Sequence, residues 1–123
     1  MTNTEEAKQL ILNSIPKIDQ VRKTFDTCIT ENREMNSEEC IIIISLLTEA
    51  ETTIKNGINL LEKTAPSTKI IISSVIILLD IREGIRLGHK LRGLGIPLKN
   101  IQKIFLPKLL QVEPKLEEAL ELL

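Results

Sequence analysis

Four successive isoleucines, Ile41 to Ile44, and a second aliphatic run from Ile70 to Leu79 constrain this chain more than any motif does. Isoleucine is β-branched, so either run could form a buried strand. Each, however, continues without a turn signal into an amphipathic stretch carrying Glu, Lys and Arg at helical spacing, which predicts helix for both. Four residues at about 100° each sweep most of the way round a helix, and one core cannot receive them all. The outward members need cover from elsewhere. A domain of four or five helices has little material to wrap two of them completely, which favours a homo-oligomer or a dedicated protein partner.

The chain of 123 residues is long enough for one continuous core and is read as a single domain, 1–123. With 42% hydrophobic and 27% charged residues it is expected to fold. The apolar stretches Cys40–Leu47 and Ile70–Leu79 are short against the roughly twenty residues of a membrane-spanning helix, so no membrane span is expected. The start MTNTEEAKQL has neither a basic leader nor an apolar core, and cytoplasmic location is the expectation. Cys28 and Cys40 lack metal-site spacing and His partners; they read as free buried thiols, with a bridge across the first helical hairpin as the alternative.

Helix punctuation gives the organisation. Thr4 before Glu5 and Glu6 reads as an N-cap. Ile11, Ile15, Ile18, Phe25 and Ile29 follow at helical spacing, with Val21 one position off the stripe. Pro16 predicts a break, giving a short first turn to about Ser14 and a longer helix from Pro16 to Arg33. Asn36 with Glu39 is a capping pattern that opens a second helix to about Lys63, with Ile43, Leu47, Ala50, Ile54, Ile58 and Leu61 inward and Asn56-Gly57 a soft point. Ala65-Pro66-Ser67-Thr68 leads into a third helix from about Lys69 to Leu91. Gly93-Leu94-Gly95-Ile96-Pro97 ends it, although Ile96 is a poor capping residue. A fourth helix over Leu98–Phe105 is disturbed at Pro107, and after Pro114 a last segment, Lys115–Leu123, sets Leu116, Ala119, Leu120 and Leu123 on one side. The prediction is all-α: a bundle of four main helices with short terminal helical segments.

Functional chemistry is sparse. Trp and Tyr are missing, and there are two Phe and one His, so both the usual acid–base group and the stacking faces are nearly absent. His89 has no nucleophile signature attached and reads as exposed and idle. Glu31, Glu34, Glu38, Glu39, Glu49 and Glu51 cluster around the first hairpin without the Glu-x-x-His pair of di-metal bundles. No catalysis, cofactor or metal is implied.

The charged residues divide unevenly. Residues 1–65 hold seven Lys/Arg against eleven Asp/Glu, and residues 66–123 nine against six. Within the second half, the tract 82–108 sets Arg82, Arg86, Lys90, Arg92, Lys99, Lys103 and Lys108 against Glu83 alone. Arg82, Arg86 and Lys90 form one stripe on the third helix, and Lys99 and Lys103 a second on the fourth. Two such stripes flanking a turn suit phosphates, acidic protein or anionic lipid headgroups. Gly84 and Gly88, four apart, suit the close approach of another helix. Gly93 and Gly95 are no dinucleotide loop, since no strand precedes them.

The tract Leu91-Arg92-Gly93-Leu94-Gly95-Ile96-Pro97-Leu98-Lys99-Asn100-Ile101 locally resembles the helix–turn–helix joint of mercury-resistance-type transcription regulators, in which a short Leu-Gly turn precedes a Leu-rich helix. The resemblance covers this tract alone. The isoleucine-rich third helix stands where that family has its recognition helix and wing, so no DNA-binding role carries over.

The expected function is a non-catalytic interaction or assembly subunit that associates through isoleucine-rich faces, with Ile42, Ile71, Ile77 and Leu78 as candidate contacts beside Gly84 and Gly88. The alternatives are a polyanion-binding (nucleic-acid) module using Arg82, Arg86, Lys90, Arg92, Lys99 and Lys103, and a carrier of an apolar ligand.

Overall fold

Short connections force successive helices to run antiparallel, and the computed structural model, which describes residues 2–95 and 97–123, has that arrangement. The helices are α1 Asn3–Thr30, α2 Ser37–Ile58, α3 Pro66–Lys90 and α4 Leu98–Leu122. α1 packs on α2, α2 on α3 and α3 on α4, and α4 closes back onto α1. The expected all-α four-helix bundle is the fold; no strand occurs among the described residues. Its α3–α4 turn joins two long antiparallel helices. Ile96 lies outside the described residues.

Two expectations about breaks are corrected. Pro16 does not divide α1, and Pro107 and Pro114 do not divide α4, so the separate terminal segments merge into the main helices. All three prolines sit on the solvent side. Leu12, Lys103 and Leu110, whose carbonyls lose a helical partner, are exposed too, so water can replace the missing hydrogen bonds while the opposite face stays packed. The N-cap of α1 is Thr2, not Thr4: its hydroxyl accepts from the Glu5 amide at 3.1 Å in a capping box. The Asn36–Glu39 capping box opens α2 where expected. α2 stops at Ile58 rather than near Lys63, and α3 begins at Pro66, a residue suited to the first helical position.

The core is one cluster running through all four helices. α1 buries Ala7, Ile11, Ser14, Ile18, Val21, Phe25 and Cys28. These positions alternate steps of four and three, which keeps the stripe straight. Val21 therefore lies on the stripe, and Ile15 and Ile29 fall to its edges. Ile43, Leu47, Ala50 and Ile54 are buried on α2 as expected, with Ile58 and Leu61 partly so. Gly57 is a contact rather than a soft point: it is buried, and a Cβ there would meet the Ala7 carbonyl oxygen at 3.4 Å.

α3 and α4 approach closely at two glycines. A Cβ on Gly88 would stand 2.7 Å from Cδ1 of both Ile101 and Leu98, and one on Gly84 would overlap the Phe105 ring. The small-residue pair thus serves an internal seam. Gly84→Ala should lower stability by about 1–3 kcal/mol through displacement of the ring, although alanine is the better helix former. In a Phe105→Ala background the same change should instead stabilise by about 1 kcal/mol. A urea-melt double-mutant cycle checks both signs.

Candidate functional site

Polar groups converge where the α1–α2 connection meets the α3–α4 turn. α1 ends with Asn32 at φ 53°, and the Arg33 amide donates to the Cys28 carbonyl at 2.9 Å, which closes the last helical turn. The Arg33 guanidinium then forks onto Glu39 at 2.7 and 3.1 Å and donates through Nε to Glu31. Arg33 holds the Glu39 carboxyl below the usual carboxylate range, and Glu39 followed by Glu31 raises Arg33 in return. The Glu39 contribution to stability is therefore present above the ordinary carboxylate pKa and is lost as pH falls through the lowered folded value.

Fully buried Met35 comes next, and its backbone is clasped from the other hairpin. Its amide donates to Gln102 Oε1 at 2.9 Å, and its carbonyl accepts from Arg92 Nη2. Beside it Glu34 Oε2 accepts from the Leu98 amide at 2.8 Å, capping α4, whose N-cap residue Pro97 makes no side-chain cap bond. Cys28 and Cys40 lie in the same region, both free and buried, and burial pushes both thiols up. They do not form the alternative bridge.

The acids of the first hairpin are thus placed individually. Glu31 and Glu39 hold Arg33, Glu34 caps α4, and Glu49 pairs with Lys17 at 3.6 Å. Glu51 is buried between Lys55 and Arg82, and Glu38 is exposed. No group of three metal-ligating side chains comes together among the described residues. His89 is half-buried rather than exposed, and its Nδ1 is enclosed without a partner, as is Nε2 of Gln102. Two depressions lie at opposite ends of the bundle and both open to solvent. One of about 410 Å³ is lined by Glu34, Arg92, Gly93, Gly95 and Pro97. The other, of about 230 Å³, lies by Thr4, Leu61, Ser67 and Leu123. Neither is an enclosed apolar chamber.

The cationic stripes do not converge. Arg82 is drawn onto Glu51 of α2, Arg86 pairs with Glu83 at 3.1 Å, and Arg92 is committed to Met35. Gly84 and Gly88 mark the side of α3 that meets α4, and Ile101 and Phe105 the side of α4 that meets α3. At about 100° per residue, Arg82, Arg86 and Lys90 point roughly 140–180° away from the glycine side, and Lys99 and Lys103 about as far from Ile101 and Phe105. The stripes thus lie on opposite flanks of the hairpin and cannot grip one rod-shaped polyanion together.

The candidate contact residues also divide. Ile71 and Leu78 are fully buried and Ile77 is packed against the core, so these three serve the chain's own interior. Ile42 is exposed. The choice of Ile42 on α2 thus falls on an outward position, whereas Ile71, Ile77 and Leu78 on α3 turn inward, because the phase of a helix about its axis is set by its neighbours. The outward members are Ile41, 61% exposed, Ile42, 44%, Ile72, 39%, and Ile76, 54%. No family model matches this chain, nor does any curated protein or solved structure. No helix among the described residues is long and apolar enough to cross a membrane.

Glu34→Ala removes the side chain that, among the described residues, caps α4 and should cost about 1 kcal/mol, read as a lower urea midpoint. On the opposite flank, burial and then Asp19 raise Glu113, and its Oε1 is enclosed without a partner. A raised folded pKa means that ionised Glu113 opposes folding at neutral pH, and that this penalty fades as pH falls through the raised value. Glu113→Gln should therefore stabilise the chain at pH 7, with a gain that shrinks on acidification. A gain constant with pH in urea melts would contradict this.

Proposed function

We propose that the chain is a non-catalytic association module whose exposed isoleucines on α2 and α3 are covered by another helical surface, a second copy in the first instance. Single exposed aliphatic residues are ordinary on any protein surface. The supporting observation here is that the outward isoleucines sit on segments with no charge at all: Cys40–Thr48 and Ile70–Leu79 contain no Asp, Glu, Lys or Arg, against 27% charged residues over the chain. Aliphatic groups with little charge between them are the compositional mark of the centre of an interface, and exposed Glu38, Lys69 and Asp80, one turn away, would stand at its polar rim.

On α2, Ile41 leads a strip of exposed Ser45, Thr48 and Thr52. On α3, Ile72 and Ile76 lie one turn apart and both point outward. The interior of each run is already filled by Ile43, Leu47, Ile71, Val75 and Leu78, so the outer members are not spare core. Their burial against a partner would be driven by apolar surface and strengthened by excluded salts such as sulfate.

Sedimentation of the purified protein over a concentration series, in low salt and in sulfate, tests this reading. Association should persist or tighten in sulfate, and the pair Ile41→Glu with Ile72→Glu should weaken it at least about tenfold, or 1.4 kcal/mol, without loss of helix content by circular dichroism. A solitary particle under every condition would overturn it.

A further inference from the structure

From Gly84 to Val112 the chain has no acidic residue and six cations: Arg86, Lys90, Arg92, Lys99, Lys103 and Lys108. This stretch is the end of the α3–α4 hairpin, and it also carries three of the most exposed large aliphatic side chains, Leu87 at 55%, Leu94 at 75% and Ile104 at 63%. Leu94 lies in the turn between Gly93 and Gly95, whose φ angles of 99° and 87° belong to glycine. Leu87 and Ile104 flank the outer side of the α3–α4 seam at neighbouring levels, because Gly84 faces Phe105 and Gly88 faces Ile101 across it.

Lys90, Lys99, Lys103 and Lys108 enter no ion pair among the described residues, and Lys108 lies 5.6 Å from the centre of the Phe105 ring. Glu34, a carboxylate of the other hairpin that reaches this turn, is occupied in capping α4. We infer that the end and outer face of the α3–α4 hairpin form a docking surface for an anionic lipid bilayer, with Leu87, Leu94 and Ile104 entering the headgroup–acyl boundary and the lysines meeting lipid phosphates and carboxylates.

The choice of occupant rests on two features together. The cations lie on both flanks of the hairpin, an arrangement that fits a flat charged sheet beneath the turn and not a rod held in a groove. Between them protrude aliphatic groups, for which a nucleic acid backbone has no complement and a bilayer does. Contact of this kind is interfacial and needs no spanning helix.

The test is co-sedimentation of the full chain with vesicles of phosphatidylcholine alone and of phosphatidylcholine containing about 30% phosphatidylserine, with immobilised heparin as a lipid-free polyanion. Partitioning should favour the anionic vesicles by about tenfold or more and should fall as salt is raised. Leu94→Glu, Ile104→Glu and the pair Lys90→Glu with Lys108→Glu should each abolish that preference, while Ile72→Glu, near the start of α3 and so at the other end of the bundle, should leave anionic vesicles preferred over neutral ones even where total binding falls, all with unchanged helix content. No preference for anionic vesicles overturns the inference. So does a preference that Leu94→Glu and Ile104→Glu leave untouched while heparin retention stays strong, which would make this a charge-only polyanion site. Because Ile72→Glu probes association away from the basic turn, failure of lipid docking is distinguishable from failure of self-association.

Discussion

A helix has one inward stripe, and a chain that sets isoleucine at four successive positions must leave part of that run outside it. That constraint shapes both the core and the surface of this bundle. Of Ile41–Ile44, Ile43 is buried and Ile44 partly so, while Ile41 and Ile42 face solvent. Along α3, Ile71, Ser74, Val75 and Leu78 turn inward while Ile72 and Ile76 turn out. The outward isoleucines are a geometric remainder of these runs.

An aliphatic core of this kind attracts without direction, since apolar burial scales with area and hardly distinguishes one register from the next. Register comes instead from a few polar contacts between distant parts of the chain. Glu51, buried beside α3, meets Arg82 about halfway along the α2–α3 contact. At the end of the bundle, Gln102 and Arg92 hold the two sides of the Met35 peptide, and Glu34 holds the first amide of α4. A sliding step of one turn in α3 or α4 would break several of these at once and leave buried polar groups unsatisfied, a cost of about 1–3 kcal/mol each. The seam between α3 and α4 adds a steric pin, with Phe105 seated over Gly84 and Ile101 over Gly88.

Much of this was legible in the sequence, and the limits have physical causes. The fold class followed from helical periodicity, and the α2 start from Asn36 and Glu39, because both signals are local. The prolines misled because their effect depends on which face they occupy: at Pro16, Pro107 and Pro114 that face is wet, and the packed side carries each helix through. Val21 misled because a step of four from Ile18 lands on Arg22, whereas the packed stripe steps by three there and by four to Phe25. Among the site residues, the basic tract was visible as charge, but the direction of each stripe was not. Arg82 and Arg92 are withdrawn by Glu51 and the Met35 carbonyl, partners 31 and 57 residues away that no spacing announces. Glu34 capping Leu98 across 64 residues is the same case.

The two proposed surfaces share α3 but divide it by length. Its N-terminal half, with Ile72 and Ile76, is uncharged from Ile70 to Leu79; its C-terminal half bears Leu87 and Lys90 and leads into the basic turn. Cover for the first half therefore does not require displacement of anything from the second. The consequence is energetic. One hairpin with three aliphatic groups and a handful of lysines holds a bilayer weakly, much as a single lipid chain does. Two hairpins presented on one surface by a chain pair would turn the second contact into an intramolecular step, raising overall avidity by about 10²–10⁴ without any new residue. The charge-free isoleucine segments and the acid-free hairpin would then belong to one design, in which association through the first sets how firmly the second adheres.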